Sequence, residues 1–170
     1  MSVAPDQLVE ALSRLRVASG FDVHPWVAGR PLVLGGVHIE HSHGLEGHSD
    51  ADVIAHAVTD AVLGGAGMGD IGSLFPSDDP SLAGADSMQL LAQVVDQVIQ
   101  AGCRLVNVDV IVMAQAPRLA PHRESIRDSL ARTLRLSVDR VTVRATTTDE
   151  LGFVGRGEGA AALATCLLVR

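Results

Sequence analysis

Two short polar segments of this chain carry side chains that could bind a metal ion. Asp22 and His24 are two residues apart in a strand-like stretch, so their side chains project from the same face of a strand. His56 follows in the next predicted helix. One carboxylate and two imidazoles give a zinc-type ion three protein ligands and an open fourth position, as in a catalytic site. Asp52 and Asp60, one turn before and after His56, could orient an imidazole, and the sequence does not decide between them.

A third polar segment, Thr146-Thr147-Thr148-Asp149, follows a predicted strand. Three hydroxyls and a carboxylate suit a phosphate with its divalent cation, because hydroxyls donate to phosphate oxygens and Asp149 is a ligand for a hard ion such as Mg²⁺. A Thr run at a strand end, without any ligand, explains the same residues equally well. The glycine-rich residues 155–159 resemble an anion-binding loop, but they lack the spacing and the lysine of a P-loop, which excludes a Walker-type ATPase.

Two further segments have weaker patterns. Asp70 and Gly72 lie in a glycine-rich loop, where the carboxylate could accept from a substrate hydroxyl and the glycine lets the backbone approach closely; a plain turn is the alternative. Residues 114–120 leave a strand and enter a turn that contains proline, and their free amides and carbonyls could contact the edge of a flat base. By itself the second pattern favours an ordinary strand-to-helix connection.

Alternating helical and strand-like stretches must position these residues. Helices are predicted over residues 5–15, 50–63, 87–100 and 121–134, and strands over 16–24, 31–39 (two short strands bent at Gly35-Gly36), 106–113, 141–147 and 158–169. Pro25 is predicted to end the first strand, residues 41–47 to form a loop, and Ser49 to cap the second helix. The order predicts an α/β fold, an α+β sandwich whose sheet is covered by helices on one face. Residues 16–170 are predicted to form a single domain, with residues 1–15 as an N-terminal extension.

The composition narrows the class of protein. A chain of 170 residues with 47% hydrophobic residues is long enough for one domain with a substantial core, and its 2% of aromatic residues requires an aliphatic core. The net charge of −7 and the scarcity of aromatic side chains argue against binding to nucleic acid or to an anionic membrane. Cys103 and Cys166 are predicted to be buried thiols. We expect a cytoplasmic enzyme, because no signal-peptide pattern is visible.

Together, the motifs resemble the 2-C-methyl-D-erythritol 2,4-cyclodiphosphate synthase family. The resemblance covers about residues 16–169 with order and spacing preserved, and the conjunction of motifs is more specific than any one of them. The matching stretches are residues 20–25, 48–53 with His56, Thr59 and Asp60, 69–72 with Phe75 and Pro76, 107–110, 115–117, 145–148 and 151–159.

This resemblance implies an activity and an assembly. It implies a homotrimer around a three-fold axis, with each active site between adjacent subunits. In the implied reaction, part of non-mevalonate isoprenoid precursor synthesis, the 2-phosphate of 4-diphosphocytidyl-2-C-methyl-D-erythritol 2-phosphate attacks the β-phosphorus of the same molecule. CMP leaves and 2-C-methyl-D-erythritol 2,4-cyclodiphosphate forms, so the enzyme would be a phosphorus-oxygen lyase.

The family pattern also implies roles for individual residues. It assigns one Zn²⁺ per subunit to Asp22, His24 and His56. It also assigns to Asp149 the binding of a Mg²⁺ or Mn²⁺ ion that bridges the substrate diphosphate. His48 and Thr147 would stabilise the transition state. The implied substrate contacts are Asp22, Val23, His24, His48, Ser49, Asp70, Ile71, Gly72, Phe75, Pro76, Ser77, Asp78, Asp79, Ala114, Gln115, Ala116, Pro117, Arg118, Leu119, Ala120, Thr146, Thr147, Thr148, Asp149, Phe153 and Arg156.

The chain departs from the family pattern at several positions. Many members begin near Arg16, so about fifteen residues are additional, and Asp149 stands where glutamate is common, a shorter arm that neighbouring Glu150 could assist. Arg118 replaces a frequent lysine and Ser77 a common acidic residue.

Two other functions remain open from the sequence. One is a zinc-dependent phosphohydrolase that uses the same ligands to activate water. The other is a trimeric binding protein whose central channel, lined by Phe21 and Phe153 with Arg156 near one mouth, holds an isoprenoid diphosphate. Such a channel could also coexist with the synthase activity.

Overall fold

A five-stranded mixed sheet and the helices on one of its faces make up the fold in the computed structural model, which describes residues 5–76 and 78–170. The elements are α1 (Pro5–Ser13), β1 (Leu15–Ala28), β2 (Leu32–Leu34), β3 (Val37–Ile39), β4 (His43–Leu45), α2 (Val53–Ala66), α3 (Ile71–Leu74), α4 (Ser87–Gln100), β5 (Arg104–Met113), α5 (Arg123–Leu134), β6 (Val141–Thr146), α6 (Gly152–Gly155) and β7 (Gly159–Val169). The sheet order is β4-β1-β7-β5-β6, and β2 pairs with β3 separately.

The long strand β1 changes partner along its length. It pairs antiparallel with β7 from Leu15 opposite Val169 to Pro25 opposite Gly159, and its last residues pair antiparallel with β4. On the other side of β7, β5 is antiparallel to β7 and parallel to β6. Asp22 therefore lies in the part of β1 that pairs with β7, opposite Ala162, and β4 begins to pair four residues later at Trp26.

Helix α2 packs in close contact with strand β1. A Cβ atom at Gly20 would overlap the Ala57 carbonyl oxygen, so glycine at this position lets the helix lie directly against the strand. At the other end of α2, Gly65 makes the same allowance for the Leu168 side chain. This short separation brings the His56 side chain of α2 to the Asp22 side chain of β1.

The core between the sheet and its helices is aliphatic, as the composition predicts. Fully buried side chains come from α2, α4, α5 and the sheet, with Leu63, Leu91, Leu130 and Leu168 among the largest. Each buried leucine contributes about 1.5–3 kcal/mol relative to an exposed one. This core holds the helices that carry the functional side chains at fixed positions against the strands.

The opposite face of β1 is mostly apolar and remains exposed among the described residues. Side chains alternate along the strand, and Leu15, Val17, Phe21 and Val23 are all exposed, Val17 at 72% and Phe21 at 54%. An exposed row of large apolar side chains on one strand is typical of a surface that meets another molecule.

Several predicted boundaries are wrong. Residues 43–45 of the predicted loop form strand β4, and β1 continues through Pro25 because β4 takes over as its partner. The cap of α2 is Asp52 rather than Ser49, and the helix extends to Ala66 before Gly67 ends it in a left-handed conformation. The two short strands at 32–39 and the helix Ser87–Gln100 are confirmed.

Within residues 5–76 and 78–170, every helix is too short or too polar to cross a membrane. Cys103 and Cys166 are free and buried, as predicted, and burial raises the pKa of the Cys166 thiol to about 11. A thiol with this pKa stays protonated and unreactive near neutral pH.

Candidate metal centre and adjoining pocket

The structure brings together the three side chains that the sequence predicts as metal ligands. Asp22 Oδ2 lies 2.8 Å from His24 Nε2 and 3.0 Å from His56 Nδ1, and the two ring nitrogens are 3.1 Å apart. A tetrahedral ion with bonds of about 2.0 Å separates its ligand atoms by about 3.3 Å. These three atoms therefore form a triangle of nearly the size that zinc requires, and they are part of one cluster that could hold a metal ion.

The chemistry of the donor set requires a positive charge in this triangle. His24 Nδ1 lies 2.6 Å from the Glu46 carbonyl oxygen, which can only accept, so Nδ1 carries a hydrogen. A neutral His24 then directs the lone pair of Nε2 at the Asp22 carboxylate, and the two would repel. A proton or a metal ion between them turns this repulsion into attraction, so the residues present fit a bound cation.

The pKa values of two cluster members have shifted in the direction that fits this requirement. Burial would raise the pKa of the Asp22 carboxyl, but hydrogen bonds and positive charge from His24 and His56 outweigh it and hold the pKa far below its usual range. Burial would lower the pKa of His24, but the contact with Asp22 outweighs it and raises the pKa. The carboxylate thus stays ionised and available as a ligand.

A pocket of about 570 Å³ opens beside the cluster. Its polar side includes His48 and Ser49, and His48 Nε2 donates to the Asp79 carbonyl oxygen over 2.9 Å. The lining residues are His24, His48, Ser49, His56, Ile71, Gly72, Phe75, Pro76, Asp78, Leu82 and Leu90. Most of the predicted substrate contacts between residues 48 and 79 therefore surround one cavity beside the predicted metal ligands.

Two other predicted contacts, Asp70 and Asp79, are not among the described lining residues of this cavity. Asp70 caps α3 and accepts from the Ser73 N–H and hydroxyl, and Asp79 accepts from the Ser81 N–H and hydroxyl. Each serine hydrogen bond lowers the pKa of its aspartate. The predicted contact Ser77 lies outside the described residues.

Asp52 and Asp60, the predicted partners of His56, form hydrogen bonds elsewhere. The buried Asp52 carboxylate accepts from the N–H groups of Gly35, Gly36, Ile54 and Ala55, at 2.7–3.1 Å. Burial raises the pKa of Asp52, and the N–H groups of Gly35, Gly36 and Ala55 act against that rise. Its role is to join the β2–β3 turn to the first turn of α2.

Asp60 has a similar structural role at the far side of the pocket. Its carboxylate accepts from the Ile71 N–H over 2.7 Å, which ties α3 to α2, and burial raises its pKa. Asp52 accepts from the His56 backbone N–H through its carbonyl oxygen, but the described partners of the His56 imidazole are His24, Asp22, Ser49 and Ser87, and neither the Asp52 nor the Asp60 carboxylate is among them. The prediction that one of them orients the imidazole through a hydrogen bond is therefore wrong.

Arg30 shapes the pocket without any signal in the sequence. Its guanidinium donates to the Gly47 carbonyl oxygen over 2.7 Å and also to the Ser49 carbonyl oxygen. These bonds hold the segment that presents His48 and Ser49 to the cavity. An arginine in a polar turn is too common for its partners to be read from the sequence.

The segments 114–120 and 146–149 lie apart from the pocket. One row of paired residues crosses the sheet, from Val23 on β1 through Ala161 on β7 and Met113 on β5 to Thr146 on β6. Three strand spacings of about 4.8 Å separate Val23 from Thr146 by roughly 14 Å. Among the described lining residues of the 570 Å³ pocket, none belongs to either segment.

The side chains of these two segments are sparsely bonded. Thr146, Thr147 and Asp149 are exposed, and the Thr147 hydroxyl lies 3.4 Å from Asp149 Oδ1. Gln115 Oε1 is buried, yet it has no hydrogen-bond partner among the described residues. A buried amide oxygen without a donor is costly, so a ligand or a second chain that supplies one would be stabilised here.

Residues 114–120 also differ among themselves in exposure. Ala114 and Leu119 are buried, Gln115 and Pro117 half-buried, and Ala116, Arg118 and Ala120 exposed. The predicted channel residues Phe153 and Arg156 are exposed, and Arg156 forms an ion pair with Glu158 at 2.7 Å.

Comparisons with known proteins find relatives over most of this chain. The model of the YgbB family matches residues 15–169. The 2-C-methyl-D-erythritol 2,4-cyclodiphosphate synthase of Synechococcus elongatus is 50% identical over 159 residues, which cover 94% of this chain and 99% of that protein. The synthase of Laribacter hongkongensis is 57% identical over 91% of this chain and 95% of its own length. A solved structure described as IspF from Plasmodium falciparum in complex with CDP superposes with a TM-score of 0.80 at 29% identity, covering 91% of this chain and 96% of that one.

Proposed function

We propose, on the premise that this chain belongs to the YgbB family, that it is a 2-C-methyl-D-erythritol 2,4-cyclodiphosphate synthase of isoprenoid precursor synthesis. The substrate would be 4-diphosphocytidyl-2-C-methyl-D-erythritol 2-phosphate. An oxygen of its 2-phosphate attacks the β-phosphorus, the bond from that phosphorus to the α-phosphate oxygen breaks, and CMP leaves as the eight-membered cyclic diphosphate closes. The observation that carries the proposal is the Asp22, His24 and His56 cluster at the edge of a 570 Å³ pocket.

The reaction needs positioning and charge stabilisation more than proton transfer. The nucleophile is a phosphate oxygen that is already ionised near neutral pH, so no strong base is required. Asp22, His24 and His56 would hold Zn²⁺, which supplies Lewis-acid polarisation of a phosphate oxygen when bound. His48 and Ser49 line the same pocket as hydrogen-bond donors for the phosphate groups. Ile71, Phe75 and the other apolar lining side chains suit the methylerythritol carbon skeleton and keep water away from it.

The cytidine half of the substrate would bind to the other region, residues 114–120 and 146–149. Asp149, with Glu150 nearby, would hold a Mg²⁺ or Mn²⁺ ion, which would neutralise charge on the diphosphate, and the Thr147 hydroxyl would donate a hydrogen bond to a diphosphate oxygen. Because about 14 Å of sheet separates Thr146 from Val23, we propose that the two halves of one active site come from adjacent subunits of a homotrimer. The uncovered apolar face of β1 supports this assembly, because it would become buried around the three-fold axis.

Further parts of the proposal concern the rest of the chain. Residues 16–170 would form the synthase domain, to which α1 and the preceding residues are an N-terminal extension. Phe21, Phe153 and Arg156 would line a central channel that admits an isoprenoid diphosphate. A cytoplasmic location stays a prediction.

A turnover assay tests the proposal directly. The purified protein is incubated with the diphosphocytidyl substrate, Zn²⁺ and Mg²⁺, and its products are followed by phosphorus NMR. CMP together with a cyclic diphosphate supports the synthase. Inorganic phosphate without a cyclic product would instead indicate the phosphohydrolase, and absence of turnover by a zinc-loaded trimer would favour the binding protein.

A further inference from the structure

His56 uses its two ring nitrogens for different contacts. Nδ1 faces Asp22 and His24 in the metal cluster. Nε2 points the other way and lies 2.9 Å from the Ser87 hydroxyl oxygen and 3.1 Å from that of Ser49. The Ser87 side chain is only 1% exposed, so this contact is shielded from water.

The Ser87 hydroxyl is not needed to cap its own helix. Ser87 is the first residue of α4, and the preceding residue Asp86 is the cap, with a carboxylate that accepts from the N–H groups of Met88 and Gln89. The side chain of Ser87 is instead held by Asp50, which precedes α2. Asp50 Oδ1 accepts from the Ser87 hydroxyl over 2.5 Å, and Asp50 Oδ2 accepts from the Ser87 N–H over 3.2 Å.

Counting hydrogens along this chain of contacts determines the tautomer of His56. An ionised carboxylate only accepts, so the single hydrogen of the Ser87 hydroxyl is used in the bond to Asp50. The Ser87 oxygen then presents only lone pairs to His56 Nε2 at 2.9 Å, so Nε2 must carry the hydrogen of a neutral ring; the Ser49 hydroxyl, 3.1 Å from the Ser87 oxygen, can donate to that oxygen as well. A neutral imidazole with hydrogen on Nε2 has its lone pair on Nδ1, the nitrogen that faces Asp22 and His24.

We propose that Ser87, held by Asp50, is the positioning residue that fixes the ring orientation and tautomer of His56 for metal binding. The inference rests on the proposed metal centre and deepens it, because it names the residues that prepare one ligand. Hydrogen bonds from a ligating imidazole to an outer acceptor typically change metal affinity by 10–100-fold. Neither Asp50 nor Ser87 belongs to the predicted ligands or substrate contacts.

The same contacts join two segments that border the pocket. Asp50 N–H donates to the Ala85 carbonyl oxygen over 3.0 Å, while Ser87 donates back to Asp50 through its hydroxyl and its N–H. The start of α4 is thereby fixed to the segment that leads into α2. His56 is thus oriented by a residue 31 positions later in the chain, through a contact that depends on how two helices pack.

Zinc affinity of Ser87→Ala, measured by competition with a chelator on the full-length protein, is the first test. We expect binding 10–100-fold weaker than that of the unmodified protein. Ser81→Ala is the matched control, because the Ser81 hydroxyl also donates to a carboxylate, that of Asp79 over 2.7 Å, without contacting a histidine. Its zinc affinity should stay within about twofold of the unmodified protein, as expected for a substitution outside the ligand network.

A spectroscopic measurement separates positioning from general destabilisation. In protein labelled with ¹⁵N-histidine and loaded with ¹¹³Cd, we expect the metal coupling on His56 Nδ1 and a slowly exchanging hydrogen on Nε2. In Ser87→Ala the Nε2 hydrogen should exchange rapidly. Asp50→Ala should weaken zinc binding as well, and the double variant should lose less than the product of the two single losses, because both act through one contact.

Two results would overturn the inference: a folded Ser87→Ala protein that binds zinc as tightly as the Ser81→Ala control, or metal coupling to Nε2 of His56 in the unmodified protein. The second needs no variant, so it decides the matter even if Ser87→Ala fails to fold. Formation of CMP is a separate readout. Failure of the synthase assay would not change the zinc affinity or the NMR result, and failure of the zinc or NMR test would not exclude synthase activity.

Discussion

The metal pocket and the strand-end region formed by residues 114–120 and 146–149 differ in how completely one chain builds them. Around the metal pocket, His24, His56 and His48 each have a hydrogen-bond partner that fixes the ring. In the strand-end region, Thr147 and Asp149 are exposed with one long contact between them, and Gln115 Oε1 is buried without a donor. One region is thus preorganised within the chain, whereas the other has the open contacts expected of a surface completed by a ligand or a neighbouring subunit.

This difference follows from where each region lies in the fold. The metal pocket is between a strand and two helices that share a buried aliphatic core, so its side chains have neighbours on several sides. The strand-end region lies at the end of β6, which is an edge strand of the sheet that the described residues form. Enzymes need fixed geometry for metal ligands, and loops at strand ends supply substrate contacts that tighten on binding.

Replacement of His56 by alanine should have the largest effect. The change removes one of three ligands from the preorganised cluster, so we expect zinc to be lost and turnover to fall about 10³-fold, the size seen when a major electrostatic group is removed. Metal content by elemental analysis and the rate of CMP release check both effects. His38→Ala, at an exposed histidine outside the cluster, is the control. A zinc-free His56→Ala protein with normal turnover would contradict the ligand assignment.

Mixing two inactive variants should reveal whether the two regions act across a subunit boundary. We expect Thr147→Ala and His24→Ala each to lose about 10²-fold or more in turnover when homogeneous. If each site combines the metal pocket of one subunit with the strand-end region of the next, random mixed trimers would have about a quarter of their sites intact. The rate after denaturation and refolding of a 1:1 mixture measures this recovery. No recovery from mixtures proven to exchange subunits would place both regions of each site in one chain.

Asp52→Ala should destabilise the fold through the preorganised region. The substitution removes the cap of α2 and leaves the buried Gly35 N–H and the more exposed Gly36 N–H without their carboxylate acceptor. We expect a loss of about 3 kcal/mol in the free energy of unfolding. Urea denaturation at constant zinc concentration provides the measurement. Asp52→Asn keeps one carbonyl acceptor and should cost less, and an equal cost for both variants would argue against the hydrogen bonds as the cause.

Asp149→Asn should have the smallest effect on stability. Asp149 is exposed and has a φ of 49°, a conformation that asparagine also tolerates, so we expect a change within about 0.5 kcal/mol. The concentration of Mg²⁺ needed for half-maximal turnover should rise, because a neutral amide is a weaker ligand than a carboxylate. A destabilisation as large as that of Asp52→Ala would show that the strand-end region is as tightly built as the metal pocket.

The errors of sequence interpretation occur where contacts between distant segments decided the local structure. The sequence predicts a loop over residues 41–47, but residues 43–45 form β4 because the end of β1 offers them a pairing edge. Pro25 does not end β1, because its carbonyl oxygen accepts a hydrogen bond from the Glu46 N–H. The next residue, Trp26, continues the strand and donates its N–H to the Glu158 carbonyl oxygen. The cap of α2 is Asp52 rather than Ser49, since the same carboxylate also binds the turn at Gly35 and Gly36.

By itself, the sequence determined the order of the main helices and strands, the aliphatic core and the three residues of the metal cluster. These features depend on periodicity and on rare residue types: an Asp-x-His pair on a strand and one histidine on an apolar helix are unusual enough to be recognised. Only the tertiary structure decided which groups orient those ligands. Ser87, Asp50 and Arg30 are common residue types in polar turns and helix starts, and their partners are 17 to 37 residues away. A hydrogen bond over such a separation depends on how the helices pack against the sheet, which no local pattern encodes.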